Sequence, residues 1–441
     1  MRRPTTGLVC LYGRRRLGKS RLLQELLRAE KAAAYYVADE RDAALQRASL
    51  AKEMARVVPG LDRVVYPDWE SLFERWWTSA PKGAVLALDE FPFLVRAARE
   101  IPSLLQKRID GAGAEPRTLI LCGSSQRMMQ GLLLGPAEPL YGRAQEILRI
   151  EPLGIEHIMV AFRPASPEEA VEHYAVWGGV PRYWELAVDF PSRPKAVEAL
   201  VLDPLGVLHQ EPDRLLLDDM GEVARAASIL SLVGQGCTRL SEIAGRLSVP
   251  ATSLTRPVNR LLELSLLARD LPFGSTPRDS KRSYYRLADP FLGFWYRFVE
   301  TNRSRLASGQ VALIAKEIGL AWPQYLGQAW EGIARAAVAR LKIAGRRWLP
   351  AGRLWGPGSD GRPLELDIVS SSPDDPNLYL VGEVKSTCTP KEEEPLLRAL
   401  QEKAARCPLF AGKKLVFALF VLRGRGRARH VVGAAEICGS G

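Results

Sequence analysis

The stretch Gly13-Arg14-Arg15-Arg16-Leu17-Gly18-Lys19-Ser20 constrains this chain more than any other. A GxxxxGK[ST] spacing works because glycines let backbone N–H groups wrap phosphates at a helix amino terminus. The lysine then reaches the outer phosphates and the hydroxyl meets Mg²⁺. The required context lies on both sides. Residues 7–12 form a continuous apolar run, and Ser20 to Ala34 follows with helical spacing at Leu22, Leu23, Leu26 and Leu27. The segment predicts strand, phosphate loop and helix, with Arg21 the first residue past the loop.

Two more apolar runs extend this pattern. Ala84 to Leu88 ends at Asp89-Glu90, and Thr118 to Cys122 ends at Gly123-Ser124-Ser125, with helical patterns between them. Repeated strand-helix units predict a parallel sheet. Asp89 is placed to hold Mg²⁺ through water, and Glu90 to orient or deprotonate an attacking water; the alternative for the pair is a helix cap. Lys19 and Glu90 are thus the catalytic candidates, with ATP and Mg²⁺ the expected cofactors. Ser124 either senses the terminal phosphate or belongs to an ordinary turn. Arg143 either completes a neighbour's site in a homo-oligomer or forms a structural ion pair.

Downstream the pattern divides further. The expected domains are a P-loop core over 1–153, a helical lid over 154–215, a winged helix over 216–305 and a last α/β domain over 306–441. The lid is broken by Trp177-Gly178-Gly179-Val180-Pro181. The winged helix is read from helices over Val223–Val233, Leu240–Leu247 and Thr252–Leu264, followed by strands near 266–269 and 283–287. Its recognition helix offers Thr252, Ser253, Thr255, Arg256, Asn259 and Arg260 to a nucleic acid, with Arg278, Lys281 and Arg282 in the wing. Pro257 fits only in a first helical turn, so that helix is expected to start after Thr252. The aromatic run from Phe291 to Phe298 has the helical spacing of core packing. The last domain predicts a helix over Trp322–Ala344, strands near 364–370 and 378–386, a helix over Glu392–Arg406 and a strand over Leu415–Leu422.

This last domain carries a second chemical pattern. Asp367 ends a short apolar strand, while Glu383 and Lys385, two apart, share one strand face. Two carboxylates can hold Mg²⁺ or Mn²⁺ at a scissile phosphate, and the lysine can polarise the nucleophile; the alternative is a solvated hairpin.

Composition bounds what such a chain does. Of 441 residues 47% are hydrophobic and 25% charged, and no apolar run reaches the roughly 20 residues of a membrane span. No targeting signal is read at the amino terminus, and six scattered cysteines and four scattered histidines lack metal-ligand or disulfide spacing. A reducing cytoplasm is the expected setting. The net charge of +11, with basic clusters at 14–16, 335–353 and 423–429, fits contact with a DNA backbone or else solvated surface.

Taken together and in order, Gly-Arg-Arg-Arg-Leu-Gly-Lys-Ser, Leu-Asp-Glu-Phe-Pro-Phe-Leu, Leu-Cys-Gly-Ser-Ser, Tyr-Gly-Arg-Ala and Trp-Gly-Gly-Val-Pro-Arg-Tyr resemble the archaeal-type ATPases of the AAA+/STAND class. The resemblance covers about the first 190 residues. It implies that Gly179 and Pro181 meet the bound nucleotide. It also implies a Phe-x-Gly-Arg-Glu segment before the first strand, absent here, which leaves adenine recognition or the start site unassigned. The order helix, Asp strand, Glu-x-Lys strand, helix, strand resembles the PD-(D/E)XK nuclease fold. That second resemblance makes Glu331 a further metal carboxylate, with Glu365 its neighbour. Two functions are therefore expected: an ATP-dependent, DNA-associated nuclease or processing ATPase, or an ATP-driven switch whose last domain binds DNA or protein without cutting.

Overall fold

The computed structural model describes residues 6–111, 117–220, 223–276, 283–424 and 430–439. The chain divides into two compact units, Met1–Pro152 and Leu153–Gly441.

In the first unit the apolar runs become β1 (Thr6–Tyr12), β2 (Ala33–Val37), β3 (Val85–Asp89), β4 (Arg117–Gly123) and β5 (Glu146–Arg149). They pair in parallel in the order β2-β3-β4-β1-β5. With β1 leading through the glycine loop into α1 (Lys19–Arg28), and α2 (Gln126–Leu134) following β4, this is the P-loop NTPase fold. Every residue of β3 is buried, as a strand covered on both faces requires. Alternation sends Leu8 and Cys10 of β1 to a core with Trp69, Phe73 and Trp76, and sends Leu11 to the opposite core with Leu23 of α1.

Two features depart from the sequence reading. The helix after the loop ends at Arg28, not Ala34, because Ala33–Val37 pairs along β3 from Ala33 opposite Val85 to Val37 opposite Asp89. Tyr35, Tyr36 and Val37 favour a pleated surface, and ladder pairing prevails over the leucine period. Strand β5 was not read because all four of its residues are exposed and leave no burial pattern.

The second unit opens on short helical turns over Ile155–His157 and Ile158–Phe162 and includes helices α3 (Pro167–Trp177) and α4 (Pro181–Ala187). After further helical segments over Arg193–Leu202 and Glu211–Asp219 come α5 (Val223–Gly234), α6 (Leu240–Arg246) and α7 (Thr255–Glu263), then the antiparallel pair β6 (Leu267–Asp270) and β7 (Tyr284–Leu287). A 3-10 turn over Ala251–Leu254 precedes α7, so Pro257 does fall in its first turn. The helix α8 (Pro290–Phe298) buries Phe291, Phe294, Trp295, Tyr296 and Phe298, the expected core packing. The wing residues Arg278, Lys281 and Arg282, and the basic Arg425, Arg427 and Arg429, lie outside the described residues.

The long helix α9 (Val311–Ala337) starts eleven positions before the expected Trp322, because Ile314 and Ile318 continue its buried stripe, and it ends before Ala344. It packs on a mixed sheet of β8 (Gly352–Pro357), β9 (Pro363–Ser371), β10 (Leu378–Thr387), β11 (Lys414–Arg423) and β12 (Val431–Gly433). The β8–β9 and β9–β10 pairs are antiparallel; β10–β11 and β11–β12 are parallel, bridged by α10 (Glu393–Ala405) and followed by α11 (Ala434–Gly439). Among the described residues no helix is long and apolar enough to cross a membrane.

Trp330 is fully buried and its indole N–H donates to the Phe420 carbonyl at 3.3 Å, fixing α9 on β11. Trp330→Ala is expected to cost about 3–5 kcal/mol in denaturant unfolding. Leu320→Ala on the same helix, at a position 78% exposed, is expected to stay within about 0.5 kcal/mol. Equal effects of the two would contradict this packing.

Candidate functional site

Gly13 is dictated by a close approach. Ile150 N–H donates to the Tyr12 carbonyl at 2.7 Å, so a Cβ at position 13 would lie 2.4 Å from the Ile150 carbonyl oxygen. The loop then uses left-handed backbone at Arg16 (φ 69°) and Gly18 (φ 84°), and Gly18 caps α1. Leu17 is buried in the loop's core and Arg14 is buried, while Arg15, Ser20 and Arg21 are exposed. The Lys19 ammonium, only 6% exposed, donates to the carbonyls of Gly13 at 2.7 Å and Arg14 at 3.0 Å. Burial pulls its pKa down, against the neighbouring Glu90 and Asp89.

Asp89 ends β3 with no exposed surface. Its Oδ1 accepts the Glu90 N–H at 2.9 Å and its Oδ2 accepts the Tyr35 hydroxyl at 2.7 Å. The same hydroxyl interacts with Ser20 and Gln24 on α1, and burial raises the phenol's pKa. The expected helix ends at Ala34 and assigns no strand to Tyr35, although the Tyr-Tyr-Val run carries the signal for one. Ser20 and Asp89 thus bring hard oxygen donors to one point, a donor set that fits Mg²⁺ held together with nucleotide phosphates. Glu90 stands in left-handed backbone, φ 50°. Its Oε2 accepts from the Ser124 hydroxyl at 2.8 Å and the Ser124 N–H at 3.2 Å. Ser124, at the end of β4, therefore holds the carboxylate next to Asp89, whereas Ser125 caps α2 by accepting the Met128 N–H.

Arg143 does not join this group. Its guanidinium grips Asp110, with Nη2 at 2.7 Å, and also donates to the Tyr141 carbonyl, which is the structural ion pair of the two expected roles. Gly179 and Pro181 lie in the second unit. Gly179 accepts the Leu153 N–H at 2.8 Å and a Cβ there would sit 2.0 Å from the Leu153 carbonyl oxygen; Pro181 opens α4. Close backbone packing alone accounts for that glycine.

The C-terminal carboxylates are arranged differently. Lys385 and Glu383 do share a face of β10, joined at 2.9 Å, and Lys403 from α10 reaches Glu383 Oε2 at 3.0 Å. Lys403 was not singled out in the sequence; it stands three positions past the buried Leu400, at the edge of that helix's apolar stripe. Burial drives the Glu383 pKa up, but the bonds from Lys385 and Lys403 outweigh it and leave the carboxyl below its ordinary range. Asp367 Oδ2 accepts the Val384 N–H at 2.9 Å, yet burial keeps its pKa raised. Glu331 on α9 is raised by burial and by the charge of Asp367. Glu365 pairs with Arg353, and Arg335 donates to the Asp367 carbonyl at 2.9 Å.

Among the described residues no group of three or more His, Cys, Asp or Glu side chains is arranged to hold a metal ion. The expected set of Glu331, Asp367 and Glu383 is therefore not a ready three-carboxylate cage, and two lysines occupy the oxygens of Glu383. The basic residues are likewise partly consumed: Arg340 pairs with Glu156 at 3.2 Å and Arg423 with Glu172 at 2.5 Å. On α7, Arg256 and Asn259 are exposed, while Arg260 pairs with Glu263 at 2.8 Å.

Sheet order, glycine loop and the Asp89-Glu90 pair define a P-loop NTPase by fold. Residues 295–395, spanning α9 through the Asp367 and Glu383 strands, match the model of DUF234, described as archaea bacterial proteins of unknown function. The chain is 29% identical over 387 residues to the uncharacterized protein MJECL04 of Methanocaldococcus jannaschii, covering 86% of this chain and 82% of that one. Among solved structures it is similar to the Walker-type ATPase paby2304 of Pyrococcus abyssi, at 20% identity and TM-score 0.45 over 66% of this chain and 91% of that one. It is also similar to the Aeropyrum pernix ORC2 protein in its ADPNP–ADP complexes, at 15% identity and TM-score 0.42 over 70% and 89%.

Because the folded Glu383 pKa is lowered, its pairing contributes stability above the ordinary glutamate range that is lost as pH falls through the folded value. Lys403→Ala is expected to be less stable than the parent at pH 7, with the two unfolding midpoints converging as pH is lowered below about 4. A difference that does not change with pH would contradict the ion-pair assignment.

Proposed function

We propose that this protein binds and hydrolyses ATP at the phosphate loop and acts on DNA through its second unit. The observation that carries the first part is the convergence of Lys19 and Ser20 of α1 with Asp89 and Glu90 at the end of β3, with Ser124 after β4 fixing the glutamate. Ser20 and Asp89 would hold Mg²⁺, which when bound neutralises charge on the outer phosphates. Lys19 exchanges its two carbonyl contacts for phosphate oxygens, and the α1 amino terminus offers its N–H groups. Glu90, held by Ser124, orients the attacking water and takes its proton. Lys19→Ala is expected to abolish nucleotide binding, whereas Glu90→Gln should bind normally and turn over roughly 100- to 10,000-fold more slowly. Ordinary turnover in both variants would sink the assignment.

For the second unit we propose a PD-(D/E)XK-like domain alongside a winged helix formed by α5 to β7. Mg²⁺ is commonly held by one or two carboxylates completed by phosphate and water, so Asp367 and Glu383 fit a metal that arrives with a phosphodiester. When bound, such a metal activates water and stabilises charge at the phosphate. Lys385 and Lys403 supply positive charge to the same place. The pairing of Glu383 with two lysines equally favours the second reading, a switch that binds DNA without cutting it. Cleavage of single-stranded, duplex and branched DNA with Mg²⁺ or Mn²⁺, lost in Asp367→Asn and Lys385→Ala, is the expected result for the nuclease. DNA binding without cleavage under every condition supports the switch.

A further inference from the structure

A cleft of about 460 Å³ lies within the second unit, between the β6–β7 hairpin and the β8–β9 hairpin. Its walls are fixed. Outside the lining, Phe273, just past β6, ties the two hairpins by donating its N–H to the Arg353 carbonyl at 2.8 Å, and packs edge-on to Tyr379. In the lining itself Tyr284 of β7 and Trp355 of β8 stack, with ring centroids 4.9 Å apart and planes at 25°. Arg239 lies over Tyr284 and donates to its hydroxyl at 3.2 Å.

The lining is amphoteric. Arg286 pairs with Asp270 at 3.0 Å and Arg353 pairs with Glu365, so acids and arginines alternate around the aromatic pair. A guanidinium has five donors and a single carboxylate engages at most two of them, which leaves N–H groups on each arginine for a phosphate. Carboxylates beside a stacked aromatic pair suit a heteroaromatic base, which presents both donors and acceptors. The size admits one nucleotide.

Position links the cleft to the carboxylates. Glu365 and Asp367 are two apart on β9, on the face opposite the buried Leu364 and Leu366, and so about 7 Å apart along the strand. Arg335 spans the gap, held to the Asp367 carbonyl while lying close enough to Asp270 and Arg286 to interact with both.

We propose that this cleft holds one unpaired nucleotide of single-stranded DNA, its base against the Trp355–Tyr284 pair and its phosphate on the arginines, with the next phosphodiester presented toward Asp367. The inference rests on reading the second unit as a DNA-binding one, and it names the substrate class as an unpaired strand or a splayed end. Stacking supplies the affinity, so base pairing must be absent at this step.

The test uses the full chain in EDTA, so that binding is read without cleavage. Fluorescence anisotropy is measured with a labelled single-stranded 12-mer and with its blunt duplex. Trp355→Ala is expected to weaken single-strand binding about 5- to 150-fold, Trp355→Phe to retain it, and duplex binding to remain unchanged in both. A second measurement does not depend on the variants folding: a photoreactive 5-bromouracil oligonucleotide should crosslink to peptides carrying Tyr284 or Trp355. Unaltered single-strand binding in Trp355→Ala, or crosslinks confined to other peptides, overturns the proposal. Trp355-dependent binding in a protein that never cuts keeps the cleft and removes the nuclease. Cleavage that is lost in Asp367→Asn while Trp355→Ala binds single strands normally keeps the nuclease and removes the cleft.

Discussion

A carboxylate with no exposed surface has to be satisfied completely, and Asp89 is such a group. An unpaired charge at that depth would cost several kcal/mol, so the chain supplies a donor to each oxygen. The two donors come from different places: the Glu90 N–H, turned inward by left-handed backbone, and the Tyr35 hydroxyl from the neighbouring strand. Meeting this demand fixes the relative placement of β2, β3 and α1, since Tyr35 also touches Ser20. Glu90 is then free to point at β4, where Ser124 receives it. The glycine at position 13 completes the frame from the other side by letting Ile150 close on Tyr12.

The second pair of carboxylates solves the same problem by another route. Glu383 is satisfied by two lysines instead of backbone and phenol, and its pKa falls, whereas Asp367 has one backbone donor and its pKa rises. Carboxyls displaced in opposite directions within one site can serve different roles in proton transfer. Lysine contacts are also easily exchanged, because a phosphate or a metal can take over either partner. Helices α3 and α4, the three-helix module and this sheet fall in one compact unit.

Much of this was legible in the sequence because long-range demands coincided with local signals. The glycine loop declared both its backbone conformation and its chemistry, and the apolar runs before Asp89 and Ser124 are the largely buried strands they predicted. The Glu383–Lys385 face followed from strand alternation alone. What escaped lacked such coincidence. Strand β2 carries a leucine-rich helix immediately upstream, and only pairing with β3 decides its state. Lys403 acts across twenty positions through tertiary packing, and the opening of α9 at Val311 depends on the buried Ile314 and Ile318, whose burial only the folded chain decides. The Tyr284–Trp355 stack joins residues from two hairpins that no local pattern connects.

The most direct test of the account is calorimetric titration of the intact protein with ATP, with Mg²⁺ present and then with EDTA. One site per chain, with affinity lost or sharply reduced when the metal is removed, is the predicted result, because in the proposed site Ser20 and Asp89 hold the metal while Lys19 and the loop N–H groups alone would have to bind the phosphates. Absence of binding, or equal affinity in EDTA, would contradict it.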